Sequence, residues 1–338
     1  MKLIYVVLAG LTILICSCAK KKEEWNELKM YDLNGEVRVF SEYSYKAIEK
    51  FGVVEKAARE RSSYPYEDIY IEFDKKGNPL EEVKYKSDGR IESMSVCKYD
   101  SKGNSIESVH YGRDSVFDSR YTYKYNKKNL ILQVVKYGFD NNILNKTNFK
   151  YNGKDQLIEE IELGPKDNVE SKNTYKYDNE GNKIEVDTYT SIGKLKERNT
   201  YKYDNHGNMI QNSVYMSNGY LSKNRIYKFD KYGNQIENVQ YEDGNITSKY
   251  ISKYDKDRKK IESEIYLPVM TSRVINKYDD YGNIIEEESN YTMSTRTFDS
   301  KTTFEYEYDR SKNWIKRIEF EDGAAKYIVE RNIEYFGN

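Results

Sequence analysis

The stretch that decides the fold is Tyr175-Lys176-Tyr177-Asp178-Asn179-Glu180-Gly181-Asn182-Lys183-Ile184, and it returns 26 residues later as Tyr201-Lys202-Tyr203-Asp204-Asn205-His206-Gly207-Asn208-Met209-Ile210. The same aromatic-Asp pair followed by Gly-Asn begins at Phe73, Tyr99, Phe229 and Tyr278, and degenerate copies begin at Tyr125, Tyr151, Tyr254 and Tyr308. From Phe73 to Phe229 the leading aromatics are 26 residues apart without exception, after which the spacings are 25, 24 and 30. Self-similarity at a fixed period marks a tandem array.

One repeat can be read as physics. With the leading aromatic at position zero, Asp at one and Gly at four make a type I turn whose Gly takes positive φ. Such a turn joins antiparallel strands through a three-residue loop. Position seven is aliphatic (Leu80, Ile106, Leu132, Ile158, Ile184, Ile210), and position twelve is usually Tyr (Tyr85, Tyr111, Tyr137, Tyr189, Tyr215, Tyr241). A second turn follows near position sixteen, at Gly89, Asn141, Gly193, Gly219 and Gly244. Each repeat is then one hairpin with strands of about eight to ten residues. If position one pairs with five, parity puts the aromatic at zero on one face with positions eight, ten and twelve. The opposite face then carries polar residues around the aliphatic row at seven.

The expected fold class is all-β: an elongated, coiled antiparallel β-meander of tandem 26-residue hairpin repeats. Sheet twist should wind about twenty strands into a superhelix or partly closed shell with the tyrosine face inward. Residues 73–338 form the array, and 29–72 are expected as an N-terminal β cap with degenerate repeats. Within that cap Tyr31 to Tyr45 reads as strand, while Lys46 to Arg61 fits either a long hairpin about Gly52 or a short helix. Glu305–Gly337 is expected to protect the other end, because edge strands recruit other strands.

The Tyr-Lys-Tyr-Asp…Gly-Asn…Ile signature resembles the YD/RHS-repeat family over roughly Phe73 to Asn338, with weaker copies toward the N-terminus. The resemblance implies a coiled β-shell, which in the family can enclose a C-terminal toxin. With about ten repeats and no extra domain after Phe336, the chain is expected to be a repeat lipoprotein without a toxin domain.

That expectation of a lipoprotein comes from the other end of the chain. Lys2, the apolar run Leu3–Ile15 and the tetrad Ile15-Cys16-Ser17-Cys18 read as a signal peptide over 1–17 with Cys18 as the lipid attachment site. The run is too short for a comfortable transmembrane anchor, and an ordinary cleaved signal is the alternative. Residues 18–28 would be a lipidated tether. Its Lys20-Lys21-Lys22-Glu23-Glu24 run resembles the export signal of surface lipoproteins in Bacteroidetes-type bacteria. The expected location is the outer membrane, lipid-anchored and at the cell surface, with the periplasmic face as the alternative. Cys97 is then the only thiol besides Cys18, so no intramolecular disulfide is available.

Composition narrows the function. Charges nearly cancel (55 Lys+Arg against 56 Asp+Glu), which argues against nucleic acid as a partner. His110 and His206 stand at unrelated repeat positions, and no Cys or His has metal-ligand spacing. The position-eight glutamates (Glu81, Glu107, Glu159, Glu185, Glu237, Glu262, Glu286) read as ion-pair partners, and the Asp-x-x-x-Asn turns lack the ligands of a calcium loop. No catalytic residue, metal or cofactor is expected. The function expected is a non-catalytic scaffold binding a glycan or protein at the cell surface, with Tyr111, Tyr137, Tyr189, Tyr215 and Tyr241 as ligand-binding candidates. The alternative is an RHS-like shell or immunity component in interbacterial competition.

Overall fold

The computed structural model describes residues 27–60 and 68–337. The signal peptide, Cys18 and most of the tether lie outside the described residues. Among the described residues the fold is all-β: twenty-three strands, one four-residue α-helix, α1 (Glu27–Met30), and two single 3-10 turns at Arg113–Ser115 and Phe139–Asn141. After β1 (Val37–Lys50), β2 (Val53–Arg59) and β3 (Asp68–Phe73), the strands run two per repeat to the C-terminal strand Ala324–Tyr335.

Turn chemistry builds each hairpin. In the first repeat the Gly77 N–H donates to Asp74 O (3.0 Å) and the Asp74 N–H to Asn78 O (2.9 Å), with Gly77 at φ +80°. Glycine suits this left-handed position because it has no Cβ to clash with the carbonyl. In the degenerate copies Asn129, Asp155, Arg258 and Lys312 occupy it instead. The Asp is chosen for its side chain. Asp204 Oδ1 accepts the N–H groups of His206 and Asn208 (both 2.9 Å), and Asn208 Nδ2 donates to Oδ2 at 2.9 Å. The amide and the two backbone donors hold this carboxyl below its usual range. The Asp-x-x-Gly-Asn signature is therefore a self-capped turn. The second turns also take positive φ, at Gly89, Asn141, Gly193, Gly219 and Gly244.

The facing of the side chains departs from simple parity. Tyr177 pairs with Lys183, but Lys176 pairs with Glu185, so Ile184 is an extra residue in its strand. The same shift occurs at Lys98/Tyr99, Lys124/Tyr125, Lys202/Tyr203 and Lys228/Phe229. A one-residue bulge in every hairpin exchanges the faces beyond it. Tyr175 thus lies opposite Val186, and Tyr189 opposite Lys172. Aromatics at positions zero and minus two share a tyrosine face with positions nine and eleven. Positions eight, ten and twelve lie on the other, ion-pair face, correcting the expected grouping of zero with twelve.

The array also closes on itself. β1 pairs with the C-terminal strand from Val39↔Glu334 to Lys46↔Tyr327. Its other edge pairs with β3 over 39–42 and with β2 over 45–50. Twenty-two strands form a closed antiparallel barrel, and β2 lengthens only the far end of β1. The elongated open meander is therefore corrected: its two edges satisfy each other's hydrogen bonds, which closes the ring and leaves the short β2 as the only strand with no partner along its outer edge among the described residues. β1, from the stretch assigned to the N-terminal cap, is the closing strand. Lys46 to Arg59 is a hairpin, with Phe51 at φ +53° and Gly52 at φ +78° in its two-residue turn. At about 4.8 Å per strand, a circular ring of this size is roughly 34 Å across, and strand tilt widens it.

Packing is uneven around the ring. At the seam, Leu28 and Leu33 cover Val37, Phe40, Ile69, Ile71 and Phe73 on the tyrosine face. Beside them the Arg331 guanidinium donates to Glu42 (2.8 Å) and lies 3.5 Å from the centre of the Trp314 ring. Both charged side chains are 3% exposed. Burial pushes the Glu42 carboxyl up despite the guanidinium beside it. A smaller cluster joins Val134, Phe149 and Leu157 with Tyr121, Tyr123 and Tyr175. Most of the remaining wall is a single layer with half-buried side chains on both faces.

Candidate functional site

The ion-pair face is built from three positions on neighbouring strands. Five of the position-eight glutamates (Glu107, Glu185, Glu237, Glu262 and Glu286) lie between the lysine at minus one of the preceding strand and a basic residue on the following strand, whereas Glu159 pairs with Lys172 and Glu81 departs from the pattern, standing opposite Glu72 and Val96. Lys98–Glu107–Arg120 (2.7 and 3.2 Å), Lys228–Glu237–Lys249 (2.7 and 3.2 Å) and Lys253–Glu262–Arg273 (2.8 Å each) show the pattern. The lysine ammonium, followed by the second cation, holds Glu107, Glu237 and Glu262 below the usual carboxylate range. A carboxylate kept ionised between two cations is a poor general acid, so the row serves as an electrostatic ladder.

The five tyrosines singled out from the sequence stand on this same face, half-buried. Cations already cover two of them: Arg120 lies 4.2 Å from the Tyr137 ring centre and Lys172 5.6 Å from that of Tyr189. Tyr189 also donates to Asp187 Oδ2 at 3.2 Å. Tyr111 packs edge-on against Phe117 at 6.2 Å. Tyr215 stands opposite Arg198, and Tyr241 opposite Asn224. The structure strings these five rings around the barrel without bringing them together.

On the tyrosine face a different regularity appears, one that parity reasoning missed. In seven repeats the position-zero hydroxyl donates to the carbonyl at position six of the repeat before it, whereas Tyr308 turns to the Asp279 carboxylate and Tyr306, at minus two, takes the Ile284 carbonyl (2.9 Å). Tyr99 reaches Pro79 O (2.9 Å), Tyr125 Ser105 O (2.8 Å), Tyr151 Ile131 O (2.9 Å), Tyr177 Leu157 O (2.8 Å) and Tyr203 Lys183 O (2.8 Å). Tyr254 and Tyr278 do the same to Gln235 and Lys260. That carbonyl sits beside the bulge, where the ladder is interrupted. Burial pushes the hydroxyls of Tyr99, Tyr125, Tyr151, Tyr177, Tyr203 and Tyr278 up, Tyr125 to about 12. The sequence signal for this bond is Tyr in preference to Phe at position zero.

The second tyrosine row, at minus two, divides into two groups. Tyr175 donates to Glu160 Oε2 (2.6 Å), and Tyr123 shares a 3.0 Å hydrogen bond with Ser108. Farther round, Tyr227, Asn238 and Tyr250 stand side by side on three strands, one row from Tyr201 and Asn212. Asn212 Nδ2 and Asn238 Oδ1 are covered and lack hydrogen-bond partners among the described residues. This strip combines aromatic rings with polar groups that the wall leaves unmatched.

The histidines add no catalytic constellation. His110 Nε2 lies 3.2 Å from Ser108 Oγ, but Ser108 is only 4% exposed, and burial lowers the imidazole pKa. His206 uses its backbone N–H to close the Asp204 turn. Among the described residues no group of three or more His, Cys, Asp and Glu could hold a metal ion.

No protein-family model matches the chain, and no curated protein matches it in sequence. Among solved structures, a TcdB2-TccC3-Cdc42 complex is similar over 83% of this chain and 17% of its own, at 12% identity and a TM-score of 0.32. A Photorhabdus luminescens Tc holotoxin pore is similar over 78% and 19%, at 11% identity and a TM-score of 0.27. A porin-like protein from Bacteroides uniformis is similar over 89% of this chain and 98% of its own, at 8% identity and a TM-score of 0.30. The chain spans less than a fifth of the Tc chains it matches. At these TM-scores the likenesses decide neither family nor function.

Proposed function

We propose that this is a non-catalytic cell-envelope lipoprotein of the YD/RHS-repeat type, whose barrel wall binds a glycan or protein at the cell surface. The observation that carries the reading is the strip around Tyr227, Asn238 and Tyr250, where aromatic rings flank amide groups with unmatched hydrogen-bonding capacity. Rings with hydrogen-bonding rims are suited to flat, partly polar ligands. The anchor in this reading is lipid on Cys18, with the outer membrane as the location. Support comes from the wall, neither face of which offers the apolar band of a membrane-spanning barrel. One face carries the ion-pair ladder, and the other carries Glu82, Lys84, Lys136, Glu160 and Glu162 among its tyrosines.

The test is binding of the purified chain to envelope fractions, glycans and neighbouring cells, paired with protease shaving of intact cells. The reading expects saturable binding to one of these and loss of the protein from intact cells while a periplasmic control stays protected. Absence of binding by a folded chain would sink it. A shell or immunity role draws support from the ring closure itself, and expects a partner polypeptide to co-purify in a fixed ratio.

A further inference from the structure

On the rim opposite the Asp-x-x-Gly-Asn turns, one hairpin stands above its neighbour. Its strands, Ile284–Met293 and Arg296–Tyr308, stay paired up to Met293↔Arg296. The next strand, Trp314–Glu321, pairs with it only from Thr302 onward, because the chain turns back at Asp322 and Gly323. Residues 296–300 therefore have a neighbouring strand on one side alone among the described residues. The last hydrogen bonds fix how the backbone points there. Asp322 N–H donates to Lys301 O (2.8 Å) and Lys301 N–H to Asp322 Oδ1 (3.1 Å), so both groups of Lys301 face away from the hairpin. Backbone direction alternates along a strand, so Asp299 and Thr297 face outward as well. Their two N–H and two C=O groups form an open row of the kind that accepts another strand.

The two faces beside this edge offer different contacts. On the tyrosine face Phe298 stacks on Tyr291 with ring centres 4.8 Å apart, and both are 40% exposed. On the ion-pair face an open cleft of about 620 Å³ is lined by Arg273, Glu288, Asn290, Asp299, Lys301 and Asp322. Its cations are already engaged: Arg273 pairs with Glu262 (2.8 Å), and Lys301 with Glu286 (2.9 Å) and Glu288 (3.3 Å). Asp299 and Asp322 hold neutral donors instead, the Asn290 amide (2.6 Å) and the Lys301 N–H. Among the described residues, two carboxylates without a cation thus flank the open edge.

We infer that this edge takes an extended peptide as an added strand, with basic side chains over Asp299 and Asp322 and an apolar one against Phe298. The backbone row supplies the pairing, and the two faces supply the selectivity. A second copy of the chain fits less well. Antiparallel self-pairing about Phe298 sets each Asp299 opposite a Thr297 and leaves the carboxylates without a cation, since Arg296 lies on the other face. The edge is separate from the strip around Tyr227, so the two sites stand or fall independently.

The test is fluorescence anisotropy of a labelled heptapeptide, alternating lysine with valine, mixed with the purified chain. Saturable binding is expected, and none for the peptide with glutamate in place of lysine. N-methylation of one alternate set, the lysines for an antiparallel strand, should abolish binding, and methylation of the other set should leave it within about twofold. Thr297→Pro removes an N–H that its own hairpin does not use and should abolish binding, whereas Val54→Pro, on the outer edge of β2, should leave it unchanged. Asp299→Asn with Asp322→Asn keeps the oxygens that accept the Asn290 and Lys301 N–H groups, and should weaken binding about tenfold. Each variant is checked for an unchanged melting transition, and the methylation pair decides the question if a proline lowers it. Equal effects of the two methylations, or of the two prolines, overturn the added strand. So does a dimer that Thr297→Pro abolishes while no peptide binds, which would give the edge to a second copy.

Discussion

The seam and the wall of this barrel are held by different means. At the seam, residues that occur once in the sequence form a small two-layered core: Leu28 and Leu33 over Phe40 and Ile71, with Arg331 and Glu42 buried beside Trp314. In the wall, a short list of contacts recurs every 26 residues and few side chains are fully buried. A repeat can specify turn, bulge and neighbour, because each depends on adjacent strands alone. It cannot specify where the array ends, so closure requires residues outside the repeat pattern.

The largest expected effect breaks the seam. Arg331→Ala would leave the buried Glu42 carboxylate without its cation, at a cost of about 3–5 kcal/mol. Urea denaturation should show that loss. A change below about 1 kcal/mol would mean that strand pairing alone closes the ring.

The pH dependence of the two regions has opposite signs. In the turns, hydrogen bonds hold Asp100, Asp178 and Asp204 below their unfolded value, so their stabilisation is present above about pH 3.9 and lost as pH falls through the folded values. At the seam, burial raises Glu42 above its unfolded value. Its contribution is complete below about pH 4.3 and lost as pH rises through the folded value. Melting followed against pH should therefore fall on the acid side, and Asp178→Asn with Asp204→Asn should flatten that fall. Asn is tolerated there, since Asn152 Oδ1 already accepts the Lys154 and Gln156 N–H groups (2.9 and 3.0 Å) in its own turn. An unchanged acid limb would show that the turn carboxylates do not govern it.

The wall was the more legible region. Period, strand count, turn type and the positive φ of Gly77 or Gly181 all follow from local chemistry, and the structure has them. The faces did not follow, because the register shift at Ile184 leaves no mark in a hydrophobic pattern where both faces carry aromatics. Nor did closure. Nothing in Val37–Lys50 announces pairing with Ala324–Tyr335, almost the whole chain away, and its partner is fixed only when both edges exist. For the same reason the tyrosine candidates drawn from position twelve lie among ion pairs, while the unmatched amides of Asn212 and Asn238 became visible only with the register known.

Within the wall, the position-zero hydroxyl offers a finer comparison. Tyr177→Phe removes the bond to Leu157 O and should cost about 1 kcal/mol. The chain supplies the converse experiment, since Phe229 stands where the other consecutive repeats from Tyr99 onward have Tyr. Phe229→Tyr should reach the Met209 carbonyl at the equivalent position and stabilise by about 0.5–1 kcal/mol. If both variants are neutral, the hydroxyl ladder follows from the packing and does not contribute to it.

The smallest effect belongs to the ion-pair face. Glu237 bridges Lys228 and Lys249, yet the lysine side chains are 63% and 37% exposed, so water and salt already solvate the charges. Glu237→Gln keeps the side-chain shape and removes the charge, and should cost less than about 1 kcal/mol, with the difference vanishing at high salt. Because the carboxylate lies between two cations, its loss also leaves those lysines facing each other across one strand. Adding Lys249→Gln should relieve that repulsion and recover part of the loss. A double-mutant cycle with no coupling would reduce the ladder to a solvated surface, and a coupling above about 1 kcal/mol would make it a third structural element of the wall beside turn and hydroxyl.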